Sequence, residues 1–357
     1  MAQIRSKPFG VTKEGANVTE YILSNPGGLT VSVLDYGCVI KSIIVPAKNG
    51  PVDVVVGHDT MADYEADFNS SGSTCCGAFV GRYANRIENA VFTVGGKTYQ
   101  LEANNGPNNL HSGPDLYHDR VWDCAASETE AGSRLDFYLE SPDGDQGYPG
   151  NASIRVTYTL TDENEVKIHY EGTCDQDTIF NMTNHAYFNL AGHESGPALS
   201  QMVYIDSDAI TAVDKVLIPT GEIRKVMGTP MDFSDFKPIG RDIEADYDQL
   251  KLGGGYDHNW ILNHESGVFS LAAAAIDEES GRKMEVYTDL PGVQFYTGNF
   301  LDGQVPGKGG VKYVRRQGYC FETQYYPNAV NMPGFASPIV KKGEKYDTTT
   351  SYKFMTV

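Results

Sequence analysis

Three of the eight histidines and several acids of the chain stand in short segments rich in asparagine, glycine and aromatic residues, at 81–87 with 104–111, 181–190, 256–260 and 318–327. Asparagine amides hydrogen-bond to sugar hydroxyls and aromatic rings stack on sugar faces, while histidine and carboxylate side chains are the usual general acids and bases. These segments therefore indicate proton-transfer chemistry on a sugar. The alternative for each segment is structural, because asparagine-rich stretches are often turns and a lone histidine on a strand is often a core residue.

Glu322 favours the chemical interpretation. It lies between Phe321 and a run of aromatic residues in a strand-like segment, where a carboxylate is costly unless it is paired or held for use. An apolar surround raises the pKa of a glutamate toward neutrality, which suits a general base, and histidine is the commonest partner acid. Spacing along the chain leaves open which histidine meets Glu322.

Motifs for cofactors and metals are absent from the sequence. Residues 96–98 end like a phosphate-binding loop, but Val91 occupies the position of its first glycine, and no G-x-G-x-x-G follows a strand pattern. The eight histidines form neither H-E-x-x-H nor a close pair backed by a third ligand, and no G-x-S-x-G elbow occurs. We therefore expect no nucleotide, no other cofactor and no metal.

The charge balance excludes several classes of partner. Lys and Arg number 28 against 47 Asp and Glu, a formal net charge of -19, so nucleic acid would be repelled.

The first residues contain no apolar signal region, and no segment approaches the ~18 apolar residues of a membrane span. These features predict a cytoplasmic protein with six reduced cysteines. The adjacent Cys75 and Cys76 are either a reactive pair or, as we expect, two small, partly buried residues at a strand start.

The elements that must position these residues are mostly strands. Apolar and polar residues alternate over 134–140, and two alternating runs within 154–170 flank a polar turn. Gly95 and Gly96 supply a tight hairpin turn within 92–101. Helical periodicity is confined to 60–68, and the alanine-rich 271–276 is ambiguous between helix and strand. We predict an all-β fold, a large, mainly antiparallel β-sandwich with few short helices, in a single domain over 1–357.

The motifs together identify a family resemblance. From about Gly27 to the C-terminus the chain resembles the aldose 1-epimerases, also called galactose mutarotases. The motifs that carry the resemblance lie at 81–87, 107–111, 141–150, 183–192, 256–259, 292–300, 321–324 and 327–331.

The resemblance implies a galactose mutarotase-like sandwich that interconverts the anomers of free hexoses such as D-galactose and D-glucose without cofactor, metal or covalent intermediate. It implies that Glu322 takes the proton of the C1 hydroxyl and that His185 protonates the ring oxygen. The implied sugar-binding residues are Asn85, Arg86, His111 near the ring oxygen, Asp257 and Gln294. The alternative for Arg86 is a structural ion pair, and His258, beside Asp257, is interpreted as structural.

Two departures from the family pattern affect the expected pocket rim. Ser112 stands where glycine usually follows the histidine, and residues 116–119 read Leu-Tyr-His-Asp where the family usually has Gly-Phe-Asp-Lys. The base and acid positions are unaffected. The preferred sugar, whether galactose, glucose or a pentose, stays open, as does the choice between monomer and homodimer.

Three other functions compete with the epimerase interpretation. A glycosidase would use two carboxylates, for instance Glu322 and Asp257, to flank a glycosidic bond. A sugar-binding module would bind without chemistry. A hexose-phosphate epimerase would need a basic cluster, for which only Arg82 and Arg86 stand together in the motifs.

Overall fold

The alternation of apolar and polar residues produces a chain made almost entirely of β-strands. The computed structural model describes residues 3–70 and 73–357. The strands of the first third are β1 (Gln3–Val11), β2 (Asn17–Ser24), β3 (Thr30–Leu34), β4 (Ile40–Val45), β5 (Val52–Asp53), β6 (Phe79–Val80), β7 (Arg86–Ile87), β8 (Val91–Val94), β9 (Lys97–Gln100) and β10 (Asn109–Leu110).

The middle and C-terminal parts of the chain contribute the strands β11 to β27. They are β11 (Asp123–Thr129), β12 (Gly132–Ser141), β13 (Ala152–Leu160), β14 (Glu165–Cys174), β15 (Thr178–Ile179), β16 (Thr183–Asn184), β17 (Met202–Ile205), β18 (Ser207–Val213), β19 (Pro219–Lys225) and β20 (Lys237–Pro238). The last seven are β21 (Asp257–Leu262), β22 (Ser270–Asp277), β23 (Arg282–Thr288), β24 (Gly292–Tyr296), β25 (Cys320–Gln324), β26 (Ile339–Val340) and β27 (Lys345–Thr356).

Three antiparallel sheets form the sandwich. A nine-stranded sheet has the order β11-β12-β13-β14-β27-β23-β22-β17-β20, and two five-stranded sheets have the orders β1-β2-β3-β4-β5 and β19-β18-β21-β24-β25. Their inward-facing side chains meet in one hydrophobic cluster, to which Val33, Val156 and Phe295 contribute from three different sheets. The prediction of a large antiparallel sandwich is confirmed.

The predicted hairpins are present, and the ambiguous segment is a strand. β13 pairs with β14, β8 pairs with β9, and the alternating run at 134–140 lies within β12. The alanines at 272–275 lie in β22 and are buried between neighbouring strands. Burial between strands overrides the helix preference of alanine here, because the small side chains fit a covered sheet face.

Helices are few and short. The described residues contain two α-helices, α1 (Met61–Phe68) and α2 (Asp248–Gly253), and α1 is the helix expected at 60–68. The Thr60 hydroxyl caps α1 by accepting from the backbone N–H of Asp63, which satisfies an otherwise unpaired donor. No helix within residues 3–70 and 73–357 has the length and apolar character that a membrane crossing requires.

Candidate active site

One pocket collects all seven residues that the sequence analysis named. Its volume is about 830 Å³, and its lining includes Asn85, Arg86, His111, His185, Asp257, Gln294 and Glu322. Their positions in the chain span more than 200 residues, so only the fold brings them together.

Three neighbouring strands supply one row of the pocket. In the registers of β21, β24 and β25, Asp257 lies opposite Tyr296 and Gln294 lies opposite Glu322. Side chains alternate between the two faces of a strand. These four residues therefore face the pocket, whereas Phe321, which directly precedes Glu322, packs in the core. The strand period thus explains how a carboxylate can follow a core phenylalanine directly.

Backbone hydrogen bonds hold His185 in position. It follows β16, and its N–H donates to the Ala78 carbonyl while its own carbonyl accepts from the N–H of Gly77. Gly77 has a positive φ of 73°, and a side chain there would collide with the Ile40 carbonyl, so glycine is required at this position. The two backbone bonds fix where the imidazole points.

The imidazole of His185 faces the carboxylate of Glu322. His185 Nε2 lies 3.6 Å from Glu322 Oε2, and both side chains are more than nine-tenths buried. Glu322 Oε2 has no hydrogen-bond partner among the residues that the structure describes. Burial is the largest cause of both pKa shifts: it raises the pKa of Glu322 well above 4.5, with the charge of Asp257 adding to the rise, and lowers the pKa of His185 to about 4.

A hydrogen bond fixes the protonation of the second histidine. The backbone N–H of Asn85 donates to His111 Nδ1 over 3.1 Å, and the backbone N–H of His111 donates to the Asn85 carbonyl. Because Nδ1 is an acceptor, the neutral imidazole carries its proton on Nε2. Burial lowers the pKa of His111 well below 6.5, with the charges of His185 and Arg86 adding to the effect. The ring is therefore a neutral donor, and it lies edge-on to His185 at 5.4 Å between centroids.

The remaining polar groups form a connected wall. Gln294 Nε2 donates to Asp257 Oδ1 over 2.7 Å, and its own oxygen accepts from Gln324. Burial raises the pKa of Asp257, and the charge of Arg86 and the bond from Gln294 act against that rise. Arg86 is half-buried and donates its Nε to Asn105. It is the only Lys or Arg among the described residues that line the pocket.

Three residues next to His185 and Glu322 were not singled out from the sequence. Tyr187 and Tyr296 line the pocket, with ring centroids 5.1 and 6.3 Å from that of His185. The thiol of Cys320 lies 3.5 Å from His185 Nδ1. Tyr187 and Cys320 belong to segments singled out for their chemistry, and Tyr296 belongs to the motif at 292–300, but nothing in these segments indicates which aromatic residues face a ligand.

The two departures from the family pattern have different outcomes. Ser112 does not lie at the pocket rim: it is fully buried, and its hydroxyl donates to the Tyr83 carbonyl and accepts from the Tyr83 N–H. These bonds hold a serine at a φ of 65°, a conformation that favours glycine. Leu116 and Asp119 do line the pocket, and burial raises the pKa of Asp119 to about 6.

Arg82 and His258 both lie outside the pocket lining. Arg82 is fully buried and donates to Tyr117, Ser141, Thr178 and the Pro149 carbonyl, so its guanidinium is committed to the scaffold. His258 is buried as well, and its Nδ1 accepts from the N–H of Asp257.

The adjacent thiols are also buried. Burial raises the pKa of Cys75 to about 12 and that of Cys76 well above 9, so burial by itself disfavours the reactive thiolate of both residues at neutral pH.

Comparisons with known proteins agree on one family. The family model described as aldose 1-epimerase matches residues 19–353. The chain is 40% identical to galactose mutarotase of Bos taurus, covering 99% of both proteins, and 35% identical to aldose 1-epimerase of Escherichia coli (strain K12), covering 93% of this chain and 94% of that protein. The crystal structure of galactose 1-epimerase from Lactobacillus acidophilus NCFM superposes with a TM-score of 0.86 at 28% identity, over 100% of this chain and 99% of that one.

Proposed function

The chain belongs to the aldose 1-epimerase family, and we propose that its Glu322 and His185 interconvert the α and β anomers of free hexoses such as D-galactose and D-glucose. The chain is thus a carbohydrate epimerase of hexose metabolism. The observation that carries the residue assignment is the pair itself. A buried carboxylate oxygen, which has no partner within residues 3–70 and 73–357, and an imidazole nitrogen face each other across 3.6 Å in the wall of a sugar-sized pocket.

The reaction requires two proton transfers around one bond. Glu322, as a carboxylate, accepts the proton of the C1 hydroxyl while His185, as an imidazolium, gives its Nε2 proton to the ring oxygen. The C1–ring oxygen bond breaks, and C1 becomes an aldehyde. Rotation about C1–C2 presents the other face of the carbonyl, and the same two groups return their protons as the ring closes. Neither group gains or loses a proton over the full cycle.

Burial favours the ring-opened state in this scheme. Ring opening converts a carboxylate and an imidazolium into a carboxylic acid and a neutral imidazole. The buried pocket raises the pKa of Glu322 and lowers that of His185, so it stabilises the uncharged forms that accompany the aldehyde. The carboxylate–imidazolium pair that reacts and the uncharged pair both have a net charge of zero. The uncharged pair becomes the reactive pair when one proton moves from Glu322 to His185.

The other pocket residues bind and orient the sugar. His111 presents an Nε2–H donor beside His185, which suits a hydrogen bond to the ring oxygen. Asn85, Arg86, Asp257 and Gln294 bind hydroxyls, and the Gln324–Gln294–Asp257 chain of hydrogen bonds holds Asp257 as an acceptor. Holding reacting groups at fixed positions supplies a large part of an enzymatic rate enhancement.

Polarimetry of freshly dissolved α-D-galactose and α-D-glucose tests the proposal. We expect the purified protein to accelerate the decay of optical rotation without any added cofactor. Galactose binding with no acceleration would indicate a sugar-binding module, and release of free sugar from an aryl glycoside would indicate a glycosidase. Either result would contradict the proposal.

The finer context of the enzyme belongs to the same proposal. One hydrophobic cluster draws residues from all three large sheets, which supports a single domain over 1–357. All six cysteines are free thiols, which fits a reducing, cytoplasmic compartment. All seven proposed site residues come from one chain, so either a monomer or a homodimer would be active. Cell fractionation tests the compartment, and sedimentation of the active enzyme tests the oligomeric state.

A further inference from the structure

Three clusters in the described part of the chain bring a histidine together with potential metal ligands. They are His111–His185–Glu322, His169–Glu171–Asp347 and His58–Asp67–Cys76, and within each the ligand atoms lie within 4.8 Å of one another. Proximity alone does not make a metal site. A histidine ligates a metal through an unprotonated ring nitrogen, so the hydrogen bond made by the other nitrogen decides which cluster can bind.

The pocket cluster fails this criterion. His111 Nδ1 accepts from the Asn85 backbone N–H, which leaves the proton on Nε2, so the ring presents a donor toward His185 and Glu322. The only ring lone pair of His111 that could bind a metal is on Nδ1, and it already accepts the hydrogen bond from Asn85. This cluster can donate hydrogen bonds to a sugar but lacks its third ligand for a metal.

The surface cluster fails for a different reason. Both ring nitrogens of His169 face carboxylates, with Nε2 2.7 Å from Asp347 and Nδ1 3.7 Å from Glu171. Lys345 and Arg155 already pair with the same carboxylates. The cluster is thus an ion-pair network whose negative charge is balanced by protein cations.

His58 presents the lone pair that the other two clusters lack. Its Nδ1 lies 2.8 Å from the Pro306 carbonyl, which can only accept, so Nδ1 carries a proton. Nε2 is buried and has no hydrogen-bond partner among the residues that the structure describes. It faces Asp67 Oδ2 at 3.6 Å. Two acceptors in a buried site need a positive species between them, either a proton on His58 or a metal ion.

The third member of the cluster favours a metal ion. Cys76 is buried beside the same atoms, and the Thr74 hydroxyl, which donates to Asp67 Oδ2 over 2.6 Å, lies 2.9 Å from its sulfur. Imidazole, thiolate and carboxylate are the three ligand types that proteins use for zinc. A Cys76 thiolate and an Asp67 carboxylate together would neutralise a divalent cation.

We propose that His58 Nε2, Asp67 and Cys76 Sγ form a binding site for one divalent transition metal, with Zn²⁺ as the best match. Binding releases the Cys76 thiol proton to solvent, because the thiolate is the ligand. The Pro306 carbonyl on His58 Nδ1 and the Thr74 N–H, which donates to Asp67 Oδ1 over 3.0 Å, serve as outer-shell partners that orient the ligands. The site is separate from the proposed catalytic pair and does not depend on it.

A metal here would stiffen one wall of the sugar pocket. The three ligands come from the segment after β5, from α1 and from the segment before β6. Phe68, Asn69 and Cys75 are chain neighbours of two of these ligands, and they line the pocket. Joining the three segments through one ion would therefore fix this wall without contributing a group to the reaction.

Titration of the metal-free full-length protein with Zn²⁺, and separately with Co²⁺, tests the proposal. We expect one equivalent to bind, the melting temperature to rise, and the Co²⁺ form to show a thiolate-to-metal charge-transfer absorption. Cys76→Ser should abolish that absorption and weaken Zn²⁺ binding at least ~100-fold, since it removes a direct ligand. Cys75→Ser is the matched control for the neighbouring thiol and should bind like the wild type.

His58→Gln provides a second variant if Cys76→Ser folds poorly, and His169→Gln is its control. The proposal is wrong if the wild type binds no stoichiometric metal, or if Cys76→Ser and His58→Gln retain full affinity. Galactose that displaces the metal competitively would also overturn it, because it would place the ion at His185 and Glu322.

Discussion

Two buried histidine–carboxylate pairs in this molecule have the same geometry and different chemistry. His185 and Glu322 are separated by 3.6 Å, and so are His58 and Asp67, and all four side chains are more than nine-tenths buried. The difference lies in the carboxylate. Both oxygens of Asp67 accept hydrogen bonds from Thr74, whereas Glu322 Oε2 has no partner among the described residues.

Access to the pocket is the second difference. His185 and Glu322 line the sugar pocket, whereas His58 and Asp67 lie behind its wall. A satisfied carboxylate stabilises the fold, and an unsatisfied one that reaches a pocket is held in a costly state that a substrate can relieve. Distance and burial are therefore alike in the proposed catalytic pair and in the second pair, whereas the hydrogen-bond partners of the two carboxylates differ.

Removing the base should produce the largest effect. Glu322→Gln keeps the size and polarity of the side chain but cannot accept a proton, so kcat should fall by about 10³-fold, with KM changing less than roughly tenfold. The melting temperature should stay level or rise, because the variant no longer buries an ionisable group. Polarimetric rates and thermal unfolding measure both. A variant that keeps more than about a tenth of the wild-type kcat would reject Glu322 as the base.

Removing the acid should have a somewhat smaller effect. His185→Asn should lower kcat by about 10²-fold, since one positioned proton donor contributes about 10² to 10⁴. We expect the lower end of that range because the Nε2–H of His111 lies beside His185 and can serve the ring oxygen in part. His258→Asn is the matched control, since His258 is buried outside the pocket lining. Equal kcat losses in both variants would indicate a general structural effect.

Disrupting the second pair should affect stability instead. Asp67→Asn replaces one of the two carboxylate oxygens that accept hydrogen bonds from Thr74, and a buried polar group left without its partner costs about 1–3 kcal/mol. For a chain of this length that cost corresponds to a fall of roughly 1–4 °C in melting temperature. At a temperature where the variant is folded, kcat should change far less than in Glu322→Gln. A large kcat loss with unchanged melting temperature would reverse the roles of the two pairs.

Much of the fold and the candidate base could be predicted from the sequence because both predictions follow from local patterns. Alternation at 134–140 and 154–170 specifies strands directly, and Glu322 beside Phe321 stands out as a charge in an apolar strand. The resemblance then assigned the partner histidine. Segment 271–276 stayed ambiguous because alanine fits either element, and only its sheet neighbours decide.

The second pair could not be predicted, for a physical reason. Nine positions separate His58 from Asp67, and nine separate Asp67 from Cys76, a spacing that matches no metal motif. The three residues meet through the packing of α1 against loops. Hydrogen bonds with distant backbone groups are equally invisible in the sequence. The Pro306 carbonyl on His58 and the Asn85 N–H on His111 determine which nitrogen carries the proton, and both depend on the tertiary fold.

The smallest expected effect is a pH-dependent difference in stability between the wild type and Glu322→Gln. Burial raises the pKa of Glu322 well above its ordinary value, so the folded protein keeps a proton that the unfolded chain has released. The stability from this group is fully present below pH ~4.3, the value of an exposed glutamate, and is lost as pH rises through the folded pKa. Glutamine does not titrate in this range.

The melting temperature of Glu322→Gln minus that of the wild type should therefore increase from pH 5 upward and level off above the folded pKa. Each pKa unit corresponds to ~1.4 kcal/mol, or roughly 2 °C for a chain of this length. His185 acts in the opposite direction, since its pKa of about 4 gives a contribution that is present above pH 6.5 and lost as pH falls toward 4. That contribution is common to both proteins, so it largely cancels in the difference. A difference that stays constant from pH 5 to 8 would show that Glu322 ionises as easily in the folded pocket as in water, which would remove the contrast between the two pairs.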